Sequence, residues 1–236
     1  MRPSLIFGLA ICIDIAQANT EKVIFLGPET VNVPATPPTV DDLRLDALTP
    51  DEWSKRIDLP ASFPTHESPS GTVAWLLLTN LTQNQRYELR VCWAATQPTM
   101  FSLNVFELPV VWDTPELISS LATYAFSRQP DLNYSSEGKV SRSLEQETET
   151  SLLFLRISAA ADYYTDDARL MTHVQPVHVD VILDPYVFNA LPRSLLPTIL
   201  YIVAVAVLAW FLSKLVLIWI QPVLTADGKP EKKKRL

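Results

Sequence analysis

Hydrophobic residues form one long uninterrupted run near the end of the chain, from Leu195 to Ile220. The run contains no charged residue before Lys214. A helix of about 20 apolar residues crosses the hydrocarbon core of a bilayer, and a lysine near its end can extend its amine to the interface. This pattern predicts a single membrane-spanning helix with flanks at residues 191–221.

Shorter apolar runs that end at turn residues predict β-strands before this helix. Apolar and polar positions alternate from Tyr87 to Trp93, as expected for a strand with one buried face. With the runs 72–81 and 100–108 on either side, this segment predicts an antiparallel meander joined by short turns. Four more strands are predicted, at residues 22–27, 56–59, 151–159 and 174–183; in the last of these, Val177, Val179, Val181 and Leu183 alternate with His178, Asp180 and Ile182.

The segment after the third run has the features of a helix start. A cap candidate precedes Pro115 and Glu116, and apolar residues then recur at helical spacing from Leu117 to Ala125. We expect one short helix here, crossing the edge of the sheets. The pattern also predicts a helical turn at residues 51–53, an exposed polar loop at 127–150, and a turn with a helical fragment at 160–172.

Leu81 and Tyr87 are six positions apart, and Arg90-Val91 follows them. This spacing resembles the tyrosine corner of fibronectin type III and related immunoglobulin-like domains, over residues 72–107. The resemblance implies a mainly β protein, an immunoglobulin-like antiparallel β-sandwich with one short helix, at residues 19–190. It also implies that the Tyr87 phenol caps backbone in the turn after Leu81. The alternative is that Tyr87 is only a core aromatic residue at a strand start.

Both ends of the chain carry targeting features. Arg2, an apolar stretch and the pattern Ala16-Gln17-Ala18 predict a cleaved signal peptide at residues 1–18; an uncut N-terminal anchor helix is the alternative. The tail at 222–236 is rich in lysine, and positive residues stay in the cytoplasm. The two signals predict a type I protein with a lumenal N-terminal domain and a cytosolic C-terminus. Tyr186 and Phe188, between the last strand and the span, suit the membrane interface.

Lys233 and Lys234 stand fourth and third from the C-terminus. This placement resembles the dilysine signal through which coat-type retrieval machinery returns type I proteins to the endoplasmic reticulum (ER). An ordinary stop-transfer cluster is the alternative. Asn80-Leu81-Thr82 and Asn133-Tyr134-Ser135 are glycan acceptor triplets in predicted turns or loops, so we expect Asn80 and Asn133 to be glycosylated.

Charge and motif content limit the chemistry of the external domain. The chain has a formal net charge of −7, although its end, from Lys214 onward, is basic. The external domain is therefore more acidic than the whole, which argues against a nucleic-acid partner. Neither metal-ligand spacing nor a catalytic or phosphate-binding motif occurs, so we expect no enzyme, no cofactor and no metal. Cys92 remains alone after signal cleavage, and burial is favoured over pairing with another chain.

The layout is loosely similar to type I ER accessory subunits of glycosylphosphatidylinositol (GPI) anchor synthesis, such as the small partner of its first mannosyltransferase. This resemblance implies a non-catalytic accessory or stabilising subunit of a membrane complex, in GPI-anchor synthesis or glycosylation. Small residues in the span, Ala204, Ala206 and Ala209, favour helix contact with a multi-span membrane protein partner. Two other classes remain open: a lumenal binding module, either a cargo receptor or a chaperone-like protein, and an enzyme with an unrecognised site.

Overall fold

The computed structural model describes residues 19–33, 39–128 and 148–226. They form two compact units, one ending at Ala190 and one beginning at Leu191. The strands are β1 (Thr20–Leu26), β2 (Val31–Val33), β3 (Asp46–Leu48), β4 (Ser54–Leu59), β5 (Thr72–Thr79), β6 (Arg86–Trp93), β7 (Thr99–Glu107), β8 (Thr148–Thr150), β9 (Leu152–Ala161), β10 (Val177–Val187) and β11 (Leu191–Pro192). The α-helices are α1 (Leu108–Asp113), α2 (Pro115–Ser127), α3 (Ala168–Thr172) and α4 (Leu196–Ala226), with 3-10 turns at Val40–Leu43 and Arg193–Leu195.

The first unit contains two main sheets. In the first sheet β1, β6, β10 and β4 lie side by side, and every neighbouring pair is antiparallel. In the second sheet the order is β3, β5, β9 and β7, in which β3 runs parallel to β5 and the other pairs are antiparallel. The short strands β2 and β8 form a separate ladder.

The main core lies between these two sheets, because alternate side chains of each strand point inward. In β10 these are the four residues of the predicted inward face, Val177, Val179, Val181 and Leu183, which are 0–2 % exposed. They pack against inward residues of β5, β6 and β9 in one cluster. The predicted sandwich of mainly β structure is therefore confirmed at this level.

A second core lies on the outer face of the second sheet. Trp75 and Leu77 of β5 and Phe154 of β9 pack there against Leu117 and Leu121 of α2. This explains why β5 contains Trp-Leu-Leu-Leu without alternation: a strand buried on both faces needs apolar residues on both. The prediction that one helix crosses the sheet edge was wrong, since α1 and α2 together cover a sheet face.

The predicted antiparallel meander was also wrong. Strand β5 pairs with β3 and β9, whereas β6 pairs with β1 and β10 in the other sheet. The turn at residues 80–85 therefore connects two sheets and does not form a hairpin. Since β5 is apolar on both faces and β6 on only one, the two strands suit sheets with different coverage. The immunoglobulin-like assignment stays a prediction.

Local expectations had mixed outcomes. The helical turn predicted at 51–53 is absent; a non-helical turn forms there, in which Glu52 N–H donates to Thr49 Oγ1 at 2.9 Å. The helical fragment predicted within 160–172 is confirmed as α3, whose first turn is capped by the Asp167 carboxylate. Most of the predicted loop at 127–150 lies outside the described residues.

In its described residues, 191–226, the second unit contains β11, a 3-10 turn and the long helix α4. Residues Arg193–Gln221 are strongly apolar, and their side chains are not buried inside the protein. Among the described residues this is the one helix long and apolar enough to cross a membrane, in agreement with the predicted span.

Candidate functional site

The described residues contain no group of three or more histidine, cysteine, aspartate or glutamate side chains that could hold a metal ion. A ring nitrogen of His178 on β10 contacts a carboxylate oxygen of Asp58 on β4, but both side chains are more than half exposed. The acidic group at 162–167 is largely at the surface, where Asp167 caps α3. The candidate sites of the described part of the chain are therefore its buried polar clusters, surfaces and cavities.

Two carboxylates are buried on the outer face of the first sheet. Glu88 of β6 and Asp184 of β10 lie directly opposite each other and are 6 % and 4 % exposed. Glu88 accepts hydrogen bonds from Lys22 Nζ at 3.2 Å and from the Tyr186 hydroxyl at 3.4 Å. Burial, together with the Glu88 charge, raises the pKa of Tyr186. This arrangement ties β1, β6 and β10 together and makes Tyr186 part of the fold.

The Tyr87 phenol connects the start of β6 to the turn before it, and the side chain is fully buried. Its oxygen accepts a hydrogen bond from the backbone N–H of Thr82 at 2.9 Å, and its hydroxyl donates to Gln85 Oε1 at 3.0 Å. Gly27 packs against the same turn, where an added Cβ would lie 2.1 Å from the Thr82 carbonyl oxygen. The tyrosine-corner assignment of Tyr87, and the energetic importance of these contacts, stay predictions.

Of the remaining site residues predicted from the sequence, the structure describes Asn80 and Cys92, which lie in different elements. Asn80 lies at the surface and has a positive φ of 57° in the turn after β5. Cys92 is free and partly exposed, and was expected to be buried; it faces outward on β6, where Thr20 Oγ1 lies 3.5 Å from its sulfur. Asn133, Lys233 and Lys234 lie outside the described residues, as does the predicted signal peptide.

Surface cavities lie on the first unit. One, of about 360 Å³, lies beside α3 and is lined by Thr96, Gln97, Pro98, Thr99, Tyr163, Thr165, Leu170, Val174, Gln175 and Val177. A more open groove of about 610 Å³ runs along α2, and hydroxyl side chains, among them Ser62, Ser119 and Thr123, form much of its lining. Neither has a signal in the sequence, because the linings come from distant segments.

A turn after β10 holds an aromatic side chain in solvent. Phe188 is 97 % exposed, whereas Tyr186, two residues earlier, is 8 % exposed. Both residues were expected to suit the membrane interface, but only the Phe188 side chain is exposed, whereas the Tyr186 side chain is buried in the fold. Asn189 in the same turn bonds to the segment 84–86, a contact that the sequence did not predict.

The helix α4 carries one lysine within its apolar part. The Lys214 amine lies 5.8 Å from the centre of the Trp210 ring, one helical turn towards the N-terminus. Six apolar residues, 215–220, follow Lys214 before Gln221. The amine is therefore directed along the apolar helix and away from its C-terminal end.

The fold and this helix define a class of protein: a β-sandwich domain joined to one candidate membrane-spanning helix. The chain belongs to the Pga1 family, described as GPI-mannosyltransferase II co-activators, whose family model matches residues 9–215. No curated protein and no solved structure matches the chain. Membership confirms the predicted link to an accessory role in GPI-anchor synthesis, although the family is named for the second mannosyltransferase and the resemblance drawn from the sequence was to a partner of the first.

Proposed function

We propose that this protein is a non-catalytic accessory subunit that binds and stabilises the catalytic subunit of GPI-mannosyltransferase II in the ER membrane. The family match carries this proposal, because residues 9–215 include both the sandwich and most of the apolar helix. A co-activator acts through another protein, so its contribution lies in the contacts that it makes with that protein.

The proposed orientation is type I, with the sandwich in the lumen and the tail in the cytosol. The basic tail supports it through the positive-inside rule, and the surface position of Asn80 leaves room for a lumenal glycan. Protease treatment of sealed microsomes should remove a C-terminal tag and spare the sandwich. A protected tag would overturn this orientation. Glycosidase treatment should reduce the apparent mass of the wild-type protein. A smaller reduction in Asn80→Gln or in Asn133→Gln would identify that asparagine as a glycan site.

We also propose that Lys233 and Lys234 retain the protein in the ER through coat-type retrieval machinery. Changing both to serine should let the protein reach later compartments, while the other basic residues of the tail preserve its topology. An unchanged location would mean that the cluster is only a stop-transfer flank or that partners retain the protein.

The span is proposed to contact the multi-span catalytic subunit. A passive anchor has no need of Lys214, since a charged side chain inside a span is costly and such residues usually face a protein partner. Ala204, Ala206 and Ala209 provide small side chains that allow close helix packing. Lysine and a carboxylate of the partner would form the most favourable contact.

Replacement of residues 196–213 by an unrelated span of equal length tests this proposal. The wild-type protein should co-purify with the catalytic subunit in mild detergent, and the replaced protein should not, although its folding and location are unchanged. If the replaced protein still co-purifies and still rescues a deletion strain, residues 196–213 act only as an anchor and Lys214 alone carries any contact made by the span. A wild-type protein that does not co-purify would contradict the accessory-subunit proposal itself.

A lumenal binding module remains the second candidate, and the hydroxyl-lined groove along α2 supports it. Its serine and threonine side chains could exchange hydrogen bonds with a polar ligand. Ser119→Leu and Thr123→Leu would block the groove from an exposed helix face. If these variants no longer rescue a deletion strain but still co-purify with the catalytic subunit, this second candidate would be favoured.

A further inference from the structure

The turn that follows β10 has an unfavourable backbone for its sequence. Phe188 and Asn189 have φ values of 53° and 55°, and Ala190 N–H donates to the Val187 carbonyl at 3.2 Å. Two consecutive positive φ values occur in type I′ turns, which favour Asn, Asp and Gly. Asn189 suits this conformation, whereas a bulky phenylalanine at positive φ is an outlier.

Packing within the protein does not compensate for this strain. Phe188 is 97 % exposed, the largest value among the large apolar side chains that the structure describes. A smaller polar residue would satisfy the turn and the solvent equally well. Strained residues persist where the surrounding structure holds them and often mark functional positions.

The surrounding structure does hold Phe188 in place. The Asn189 side chain accepts a hydrogen bond from Arg86 N–H at 2.8 Å and donates one to the Asn84 carbonyl at 2.9 Å. These bonds join the turn to the start of β6. The phenyl ring is therefore presented from a braced turn.

The lining of the cavity beside the ring is polar and uncharged. This cavity of about 320 Å³ is lined by Gln83, Asn84, Gln85, Tyr186, Phe188 and Asn189, with no acidic residue. This lining differs from the acidic character of the chain as a whole, whose net charge is −7. The Arg86 guanidinium lies nearby, 5.8 Å from the centre of the Tyr186 ring. Amide groups and a cation suit the lipid headgroup region better than an acidic surface would.

Chain connectivity keeps this ring within reach of a bilayer. Phe188 lies eight positions before Leu196, the first residue of α4. Eight residues span at most about 29 Å when fully extended. We propose that Phe188 inserts into the boundary between lipid headgroups and acyl chains, and that the amide-lined surface around it faces the headgroups.

Photo-crosslinking of the full chain tests this inference. p-Benzoylphenylalanine replaces Phe188 in one variant and Phe126, which is 76 % exposed on α2, in a matched control. In phosphatidylcholine nanodiscs without any partner, position 188 should give at least about five times more lipid adduct than position 126. Equal yields, or none, would overturn the proposal. In native membranes, a protein adduct in place of the lipid adduct would also overturn it and assign the ring to a partner.

A second variant separates anchoring from folding. Phe188→Asn suits a positive φ, so it should raise the thermal unfolding midpoint of the full chain in detergent, by about 3 °C. A lower midpoint would mean that Phe188 supports the fold, and the proposal would fail. Neither experiment requires the mannosyltransferase, so failure of the accessory-subunit proposal would leave this one standing.

Discussion

At the residue scale, Tyr87 fixes the connection between the two sheets. Its hydroxyl group lies in a buried position and bonds to the backbone of Thr82 and the side chain of Gln85. Gly27 is required alongside it, since a Cβ there would collide with the Thr82 carbonyl. These contacts define the path of the chain from β5 to β6.

Tyr87→Phe removes the hydroxyl and leaves the Thr82 N–H without this acceptor. We expect a loss of about 1–3 kcal/mol in the free energy of unfolding, because the change removes two hydrogen bonds of a buried side chain, each worth about 0.5–1.5 kcal/mol. Chemical denaturation of a soluble fragment, residues 19–190, measures it. Tyr164→Phe, at an 84 % exposed position, is the control and should have little effect. An unchanged midpoint for Tyr87→Phe would show that this residue only fills the core.

At the element scale, one carboxylate joins β3 to β4 and to the end of α2. Asp46 forms ion pairs with Lys55, and with Arg128 at 2.8 Å. Burial alone would raise the pKa of Asp46, but the hydrogen bonds and charges of Lys55 and Arg128 outweigh it and lower the pKa below 3.8. The contact therefore stabilises the fold when Asp46 is ionised.

The stability of the fragment should depend on Asp46 in a defined direction. Because the folded pKa lies below the unfolded value, this contribution is present above about pH 4 and is lost as pH falls through the folded pKa. Asp46→Asn should lower the denaturation midpoint at pH 7 and have less effect in acid. An equal loss at pH 7 and in strong acid would mean that the ion pairs contribute nothing.

The helix α4 offers a matched test of its lysine. The double variant Lys214→Val with Val216→Lys keeps composition and hydropathy, but moves the charge by about 200° around the helix. We expect it to insert normally and to lose most co-purification with the catalytic subunit, whereas Lys214→Arg keeps the charge and the association. Full co-purification of the double variant would mean that Lys214 only extends to the interface.

The positions of the strands could be predicted from the sequence better than their pairing partners in the sheets. Alternation in β6 and β10 identified their buried faces, because period-2 patterns reflect burial on one side. The uninterrupted apolar residues of β5 showed a strand but did not reveal that helices cover its outer face. Strands β2 and β3 have three residues each and are too short for a periodic signal. The strain at Phe188 depends on backbone torsion, which no residue pattern shows.

At the scale of the whole molecule, the sandwich and the helix serve one proposed role. The family match includes both, so a co-activator should need both to function. In the proposed orientation, the sandwich can reach only lumenal or membrane-bound partners. The basic tail would then hold the assembly in the ER.

The most direct test measures mannose transfer by GPI-mannosyltransferase II in membranes from cells that lack this protein. Transfer should fall at least about tenfold and return when the full chain is expressed, and the amount of catalytic subunit should fall and return with it. The purified chain alone should transfer no mannose. Normal transfer in its absence would contradict the co-activator account, and transfer by the purified chain would contradict the claim that it is non-catalytic.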